Sequence, residues 1–386
     1  MRILFTSHYA LPHLGGIEVA VDAVSRELVA RGHEVCHVAS TARRLEDPAA
    51  PAPPPGYRVV RVPALNGPEE RLGVPWPLFH PALAGVLRAE VQRADVVHGH
   101  GALYLSSVLA LACARRARRA RVLTEHVGHV GYDTRSLDLV QRAAFATLGR
   151  WAVRSAQAVV VLNAKVEREL RAIADGRPIE RIHNGVDSAR FHPAEAHERA
   201  ALRDELGWDD RPRVLFVGRL VAKKGLDAAL DAAVHARGAF ELCVVGPGRS
   251  PARVPAHVEL RGPESPDEVA KLYRAADAFL LPSRGEGFPV TAQEAMASGL
   301  PVVLAADPGY GEYVEGAGDG VRLVAPDGAA LANALAELLA SEEVRRAAGE
   351  RAAAHARAEF SWARAADEHL ALYEQLVSGT PRAAIR

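Results

Sequence analysis

The sequence predicts an α/β protein built from two Rossmann-like, doubly wound domains. Three observations predict it. Short apolar runs of strand length alternate with longer segments of helical periodicity. Glycine-rich turns follow several of the strands, where a parallel sheet places its ligand crevice. A clean strand, Arg213 to Val217, followed by Gly218, restarts the pattern past the middle of the chain. At 386 residues the chain suits two domains better than one.

Composition narrows the function classes. Hydrophobic residues make up 49% of the chain, enough for two cores. The 47 basic and 47 acidic residues balance to zero formal charge, which argues against a general nucleic-acid binder. Cys36, Cys113 and Cys243 are scattered, with no disulfide framework and no metal-ligand spacing, as in a cytosolic protein with reduced thiols. The N-terminal apolar run is too short for a signal peptide, and no stretch reaches the length of a membrane span. Lysine is rare: Lys165, Lys223, Lys224 and Lys271 stand among a large excess of arginine. The adjacent pair therefore stands out.

The elements follow in order. Arg2 to Thr6 reads as a strand, and Ser7 to Gly16 as a loop closing in Gly15-Gly16. The next helix places Ile17, Val21, Val24 and Leu28 on one face, with Glu18, Asp22, Arg26 and Arg31 elsewhere. Gly32 ends it, and Glu34 to Ala39 forms the second strand. The loop lacks the G-x-G-x-x-G of dinucleotide binders. Its glycine pair either lets a backbone approach a phosphate or makes a plain turn. Beyond a Pro- and Ala-rich loop, Tyr57 to Val62 is a third strand, Ala82 to Arg93 a helix, and Asp95 to His98 a strand. A further helix ends in Arg115, Arg116, Arg118 and Arg119. These arginines either complement a helix C-terminus or form a basic patch for a membrane or an anionic acceptor.

Arg121 to Glu125 is a strand that runs into His126, so His126 faces the crevice. An imidazole there can donate to a sugar hydroxyl or hold an acceptor; a structural role is the alternative. His129 and Asp133, in the following loop, are candidates for acceptor contact. Leu137 to Arg154 reads as one long helix, followed by a strand, a short helix and the strand Ile179 to Ile182.

The richest stretch is Ser283 to Val303. It follows the buried strand Ala278 to Leu281, turns through Gly285 and Gly287, and opens a helix near Pro289 that stops at Gly299. Glu286 and Glu294 bracket the turn, and a carboxylate suits a pair of sugar hydroxyls. Helix-mouth amides beside them suit an anion. With Glu294-Ala295-Met296-Ala297 and Gly299-Leu300-Pro301-Val302-Val303 in order, this stretch resembles the E-x7-E signature of the retaining glycosyltransferases of family 4, which have the GT-B fold. Two further segments extend the resemblance. Gly218-Arg219-Leu220 through Lys224-Gly225 is similar to the family's G-R-L-x-x-x-K-G, and Asn184-Gly185-Val186-Asp187 to its N-G-V-D. Asp307 to Glu312 departs from the family's common form and is given no role.

The resemblance implies a first domain over residues 1–190 for the acceptor and a second over 191–362 for the nucleotide sugar. The domains face each other across a cleft, and a C-terminal helix, 363–386, crosses back to the first. It implies that Arg219 and Lys224 hold the donor diphosphate, that Glu286 accepts from donor-sugar hydroxyls, and that Glu294 accepts from the ribose. Gly15 and Gly16 meet the diphosphate or its sugar, and His126 lies near the sugar. The turn at Arg261 borders the base. Gly287, Phe288, Pro289 and Val290 line the donor, with amides from Phe288 and Val290; Pro289 has none to give.

The expected function is metal-independent, retaining transfer of a hexose or N-acetylhexosamine from a nucleotide-diphosphate sugar. A UDP-sugar is favoured, with GDP-mannose next. The acceptor is a small molecule, such as a secondary metabolite or aminocyclitol, or is lipid-linked. No cofactor and no nucleic acid are expected. Contact with the inner membrane face is left open for an otherwise cytoplasmic protein. The alternatives are a GT-B-fold epimerase and a non-catalytic two-domain sugar-binding protein.

Overall fold

The computed structural model describes residues 1–13, 15–41, 52–67, 76–128, 135–284, 288–307 and 309–379. They form two compact units: Met1–Gly185 together with the C-terminal segment from Trp362, and Val186–Ser361.

The first unit opens with β1 (Arg2–Thr6), α1 (Gly16–Ala30), β2 (Glu34–Ser40) and β3 (Tyr57–Val62). A small antiparallel pair, β4 (Ala64–Leu65) and β5 (Leu78–Phe79), precedes α2 (Ala82–Arg93). Then come β6 (Val96–His100), α3 (Leu105–Arg116) and β7 (Ala120–Glu125). α4 (Arg135–Ala144) passes through a π-helical turn, Phe145–Gly149, into α5 (Arg150–Ser155). β8 (Ala158–Val161), α6 (Ala164–Ala174) and β9 (Ile179–Arg181) complete the series. The seven-stranded sheet runs β3-β2-β1-β6-β7-β8-β9, with every pairing parallel. Sequence order reverses between β1 and β6, so the crevice beyond their C-terminal ends is the place for a ligand.

Burial explains why these segments are strands. β8 is Ala-Val-Val-Val, buried at every residue, as a strand covered by helices on both faces must be. α6 starts where Asn163 Oδ1 accepts from the Val166 amide at 2.8 Å, satisfying a first-turn donor. Two sequence expectations shift. β6 extends to His100, because His98 and His100 are both buried within the strand. Glu18 and Asp22, placed off the apolar face of α1, are buried.

The second unit contains α7 (Ala196–Glu205), β10 (Arg213–Val217), α8 (Leu226–His235), β11 (Glu241–Val245) and β12 (Val258–Arg261). It continues with α9 (Pro266–Ala275), β13 (Ala278–Leu281), α10 (Val290–Ala297), β14 (Val302–Ala305), α11 (Gly311–Val314) and β15 (Val321–Val324). α12 (Gly328–Leu338) and α13 (Glu342–Glu359) end it. The six parallel strands run β12-β11-β10-β13-β14-β15, with the order reversing between β10 and β13. One buried carboxylate ties its helices to the sheet. Asp277, 2% exposed, accepts from Arg199 at 2.6 Å, from Arg203 at 3.0 Å and from the Arg213 amide at 2.8 Å, and also pairs with Arg345.

The last helix, α14 (Trp362–Ser378), belongs to the first unit. Ala365, Ala366, Leu372 and Tyr373 enter the apolar cluster that holds Ile3, Phe5, Val21 and Val122. The Tyr373 hydroxyl meets His98 Nδ1 at 2.6 Å. Among the described residues no helix is long and apolar enough to cross a membrane.

Candidate active site

In the second unit the sequence-predicted cations sit on the turn that leaves β10. Arg219 is exposed and Lys224 half-buried, at the end of a single 3-10 turn, Ala222–Lys224. Two close approaches hold this turn. Gly225 has φ +76°, and a Cβ there would lie 2.3 Å from the Pro282 carbonyl oxygen. Gly246 has φ +142°, and its Cβ would lie 2.1 Å from the Gly218 oxygen. Only glycine fits both positions. The Leu220 amide donates to the Pro247 carbonyl at 2.8 Å, and the Arg284 amide to the Lys223 carbonyl at 3.2 Å. The loops after β10, β11 and β13 are thereby locked together, and Lys224 is brought to the loop that leads to Glu286. Glu286 and Gly287 themselves lie outside the described residues, as do His129 and Asp133.

Past that loop Phe288 turns inward. It stacks on Tyr313 with ring centres 4.8 Å apart and meets Phe360 at 5.6 Å and Tyr310 edge-on at 5.7 Å. Its side chain therefore anchors the loop, which leaves its backbone as the part available to a ligand. Pro289 sits at the N-cap of α10, and its carbonyl accepts from Ala292 at 3.0 Å and Gln293 at 3.2 Å. The Val290 amide belongs to the helix mouth, where donors lack intrahelical acceptors.

Glu294 lies one turn further along α10. It keeps some surface to solvent, yet its carboxyl is enclosed by protein. The Tyr273 hydroxyl, from α9, stands 3.2 Å from Glu294 Oε2 and 2.9 Å from the Thr291 carbonyl oxygen. Burial pushes the Glu294 carboxyl up to about 7, against the opposing effects of the Tyr273 hydrogen bond and the Arg190 charge. Arg261, at the end of β12, is paired with Glu259 at 3.3 Å and Glu264 at 3.7 Å.

In the first unit the loops after β1, β6 and β7 meet at the strand ends. Gly15 is the N-cap of α1, and a Cβ there would lie 2.2 Å from Glu18 Oε2. At Gly16 an added Cβ would meet nothing within 4 Å. The first glycine thus makes room for a carboxylate of the chain itself, and the second faces open space. Glu18 Oε1 lies 3.3 Å from both His8 Nε2 and His13 Nδ1. Burial raises the Glu18 carboxyl, but the close approach of His13 and the charge of His8 outweigh it and hold the group below its ordinary value. His8 stacks on Tyr104 at 4.2 Å.

His126 is 8% exposed, and its Nε2 lies 3.0 Å from His100 Nδ1. Burial, and then the positive charge of His8, push it down to about 3, so the ring is neutral at ordinary pH. Glu125 beneath it accepts from Ala102 at 2.8 Å, Gly128 at 3.3 Å and Val127 at 3.4 Å, joining the loops after β6 and β7. Arg119 and Arg121 lie at the opposite end of the sheet. Arg119 donates to the Gln92 carbonyl at 2.6 Å and Arg121 to that of Ser155 at 2.8 Å, which satisfies the ends of α2 and α5.

Sequence reasoning missed Glu18, His100, Glu125 and Tyr273. Glu18 looked like an ordinary acidic residue in a first helical turn. His100 stands two residues after His98, hence on the same side of a strand, and that spacing was the available signal. Nothing in the sequence links Tyr273 to Glu294.

These features define a protein class: two doubly wound units whose strand-end loops carry cations on a locked turn, helix-mouth amides and enclosed carboxylates. The description Glycosyltransferase Family 4 matches residues 14–190, and Glycosyl transferases group 1 matches 198–355. The D-inositol 3-phosphate glycosyltransferase of Xylanimonas cellulosilytica is 34% identical over 95% of this chain and 93% of its own. That of Segniliparus rotundus is 32% identical over 99% and 90%. Among solved structures, sucrose-phosphate synthase from Thermosynechococcus elongatus superposes with a TM-score of 0.76 at 23% identity, covering 98% of this chain and 100% of that one. Anabaena HepE in complex with UDP-glucose gives 0.72 at 19%, covering 97% and 100%. The fold is GT-B, and the chain belongs to the family 4 glycosyltransferases.

Proposed function

We propose that this glycosyltransferase moves a hexose or N-acetylhexosamine from a UDP-sugar, with retention and without a metal, to a hydroxyl of a small polyhydroxylated acceptor of the cyclitol class. The observation that carries the reading is the locked turn presenting Arg219 and Lys224 beside the loop to Glu286. HepE, solved with UDP-glucose, supports a UDP-sugar as donor, and the D-inositol 3-phosphate glycosyltransferases support the acceptor class.

In this reading Arg219 and Lys224 stabilise the charge that grows on the departing diphosphate, with the Phe288 and Val290 amides beside them. Because the turn that carries the cations is locked before reaction, little backbone reorganisation is needed as charge develops. Glu286 takes donor-sugar hydroxyls, Glu294 the ribose, and Arg261 borders the base. Gly16 leaves its backbone open to the donor, and His126 contacts the sugar. The departing phosphate takes the acceptor proton as the new bond forms on the same face.

The test is a thermal-shift screen against UDP, GDP, ADP and their sugar conjugates, with and without EDTA. A ligand that binds only the native state raises the melting temperature. Selective stabilisation by UDP compounds, unchanged by EDTA, is expected, followed by transfer from UDP-glucose or UDP-N-acetylglucosamine to inositol or inositol 3-phosphate. A shift with GDP alone would reassign the donor, and no shift at all would overturn the site. A lipid-linked acceptor is the second reading. It is favoured by Leu65 and Leu78, paired across β4 and β5 and 73% and 57% exposed, and co-sedimentation with lipid vesicles would detect it.

A further inference from the structure

Behind His126 lies a row of buried imidazoles. His100 and His98 stack with ring centres 4.5 Å apart. His98 is fully engaged, Nδ1 with the Tyr373 hydroxyl at 2.6 Å and Nε2 with Thr124 Oγ1 at 2.7 Å. His100 is engaged on one side only. Its Nδ1 meets His126 Nε2, while its own Nε2 is buried with no hydrogen-bond partner among the described residues. The ring borders a cavity of about 20 Å³, shared with His126, His183, Asn184 and His369.

A neutral imidazole carries one proton, so the bond between His100 and His126 links their tautomers. If His100 held its proton on Nε2, a buried N–H would lack a protein acceptor. If the proton is on Nδ1, the unmet group is a bare acceptor nitrogen. Orphaned buried N–H groups are rarer than under-satisfied acceptors. His100 therefore donates from Nδ1 to His126 Nε2, and the proton of His126 resides on Nδ1.

We infer that His100 is a positioning residue which fixes His126 as the Nδ1–H tautomer, making it a hydrogen-bond donor toward substrate and excluding it as the base that takes the acceptor proton. The tautomer rests on the packing of the first unit alone. The direction of the donated bond rests on the proposed contact of His126 with the donor sugar. His8 from the loop after β1, Glu18 from the first turn of α1 and His369 from α14 also act on the His126 ring through their charges.

The experiment is ¹⁵N NMR of the histidine side chains in the full-length protein, free and with UDP-glucose or UDP. In the free protein His126 should show a protonated Nδ1 and a bare Nε2, and His100 the same. In His100→Leu the His126 signals should move toward an average of the two tautomers, while His100→Asn, whose amide can still donate near the Nδ1 position, should restore them. A protonated Nε2 on His126 in the wild type would overturn the inference, whether or not the variants fold. So would an unchanged His126 in folded His100→Leu. UDP-glucose, but not UDP, should shift His126 Nδ1. Absence of that shift with the tautomer as stated would overturn the sugar contact and leave the positioning intact.

Discussion

Replacing Glu294 with glutamine should stabilise the ligand-free protein at alkaline pH and leave its stability unchanged at acidic pH. The carboxyl is raised from an ordinary 4.5 to about 7 by burial. Between these values the folded state holds a proton that the unfolded state has released, so stability falls as pH rises. The contribution is fully present below about 4.5 and is lost as pH passes through about 7. A difference of this size corresponds to roughly 3 kcal/mol as a ceiling. Because the residue keeps some solvent contact, about 1–3 kcal/mol is expected. Glutamine has no proton to lose, and its oxygen can still accept from Tyr273. Urea denaturation of the ligand-free proteins at about pH 4 and about pH 8.5 measures both limits. At the higher pH the variant should gain up to about 3 kcal/mol, a rise in Tm of several degrees, on the order of 2–4 °C per kcal/mol. The same variant should bind UDP more weakly if the carboxylate takes the ribose hydroxyls. An equal stability difference at both pH values would refute the burial argument.

Lys224→Ala should lower kcat for transfer from the UDP-sugar by roughly 10²–10³, the usual effect of losing one charge-stabilising donor, with circular dichroism unchanged. Asp277→Ala leaves Arg199, Arg203 and Arg345 around an empty site and should destabilise the second unit by about 3–5 kcal/mol in urea titrations; a change below about 1 kcal/mol would mean the network adds little. Gly225→Ala drives a methyl against the Pro282 carbonyl and should weaken UDP affinity in calorimetry, by displacing the turn that carries Lys224.

The architecture was legible because its signals are local. Strand-length apolar runs such as Ala158 to Val161 have few other ways to be buried, and alternation with helices forces parallel pairing. Where local and tertiary effects compete, the reading slipped. Glu18 and Asp22 carry polar side chains, yet His8 and His13 partner the one and Arg26 the other inside the fold. The predicted helix from Leu137 starts at Arg135 and changes pitch at Phe145–Gly149, which periodicity alone does not reveal.

By itself the sequence determined the two α/β units, the family, and which residue types stand at the strand ends, since motif spacing and period are properties of the chain. Only the tertiary structure decided which of those residues are held, and by what. It set Gly225 against Pro282, enclosed the Glu294 carboxyl beside Tyr273, turned the Phe288 ring into the aromatic stack, and left one buried nitrogen of His100 without a partner among the described residues. The physical reason is that desolvation and hydrogen-bond completion depend on groups distant in sequence. Glu294 and Tyr273 are 21 residues apart, and His98 and Tyr373 are 275 apart. No local pattern encodes such meetings.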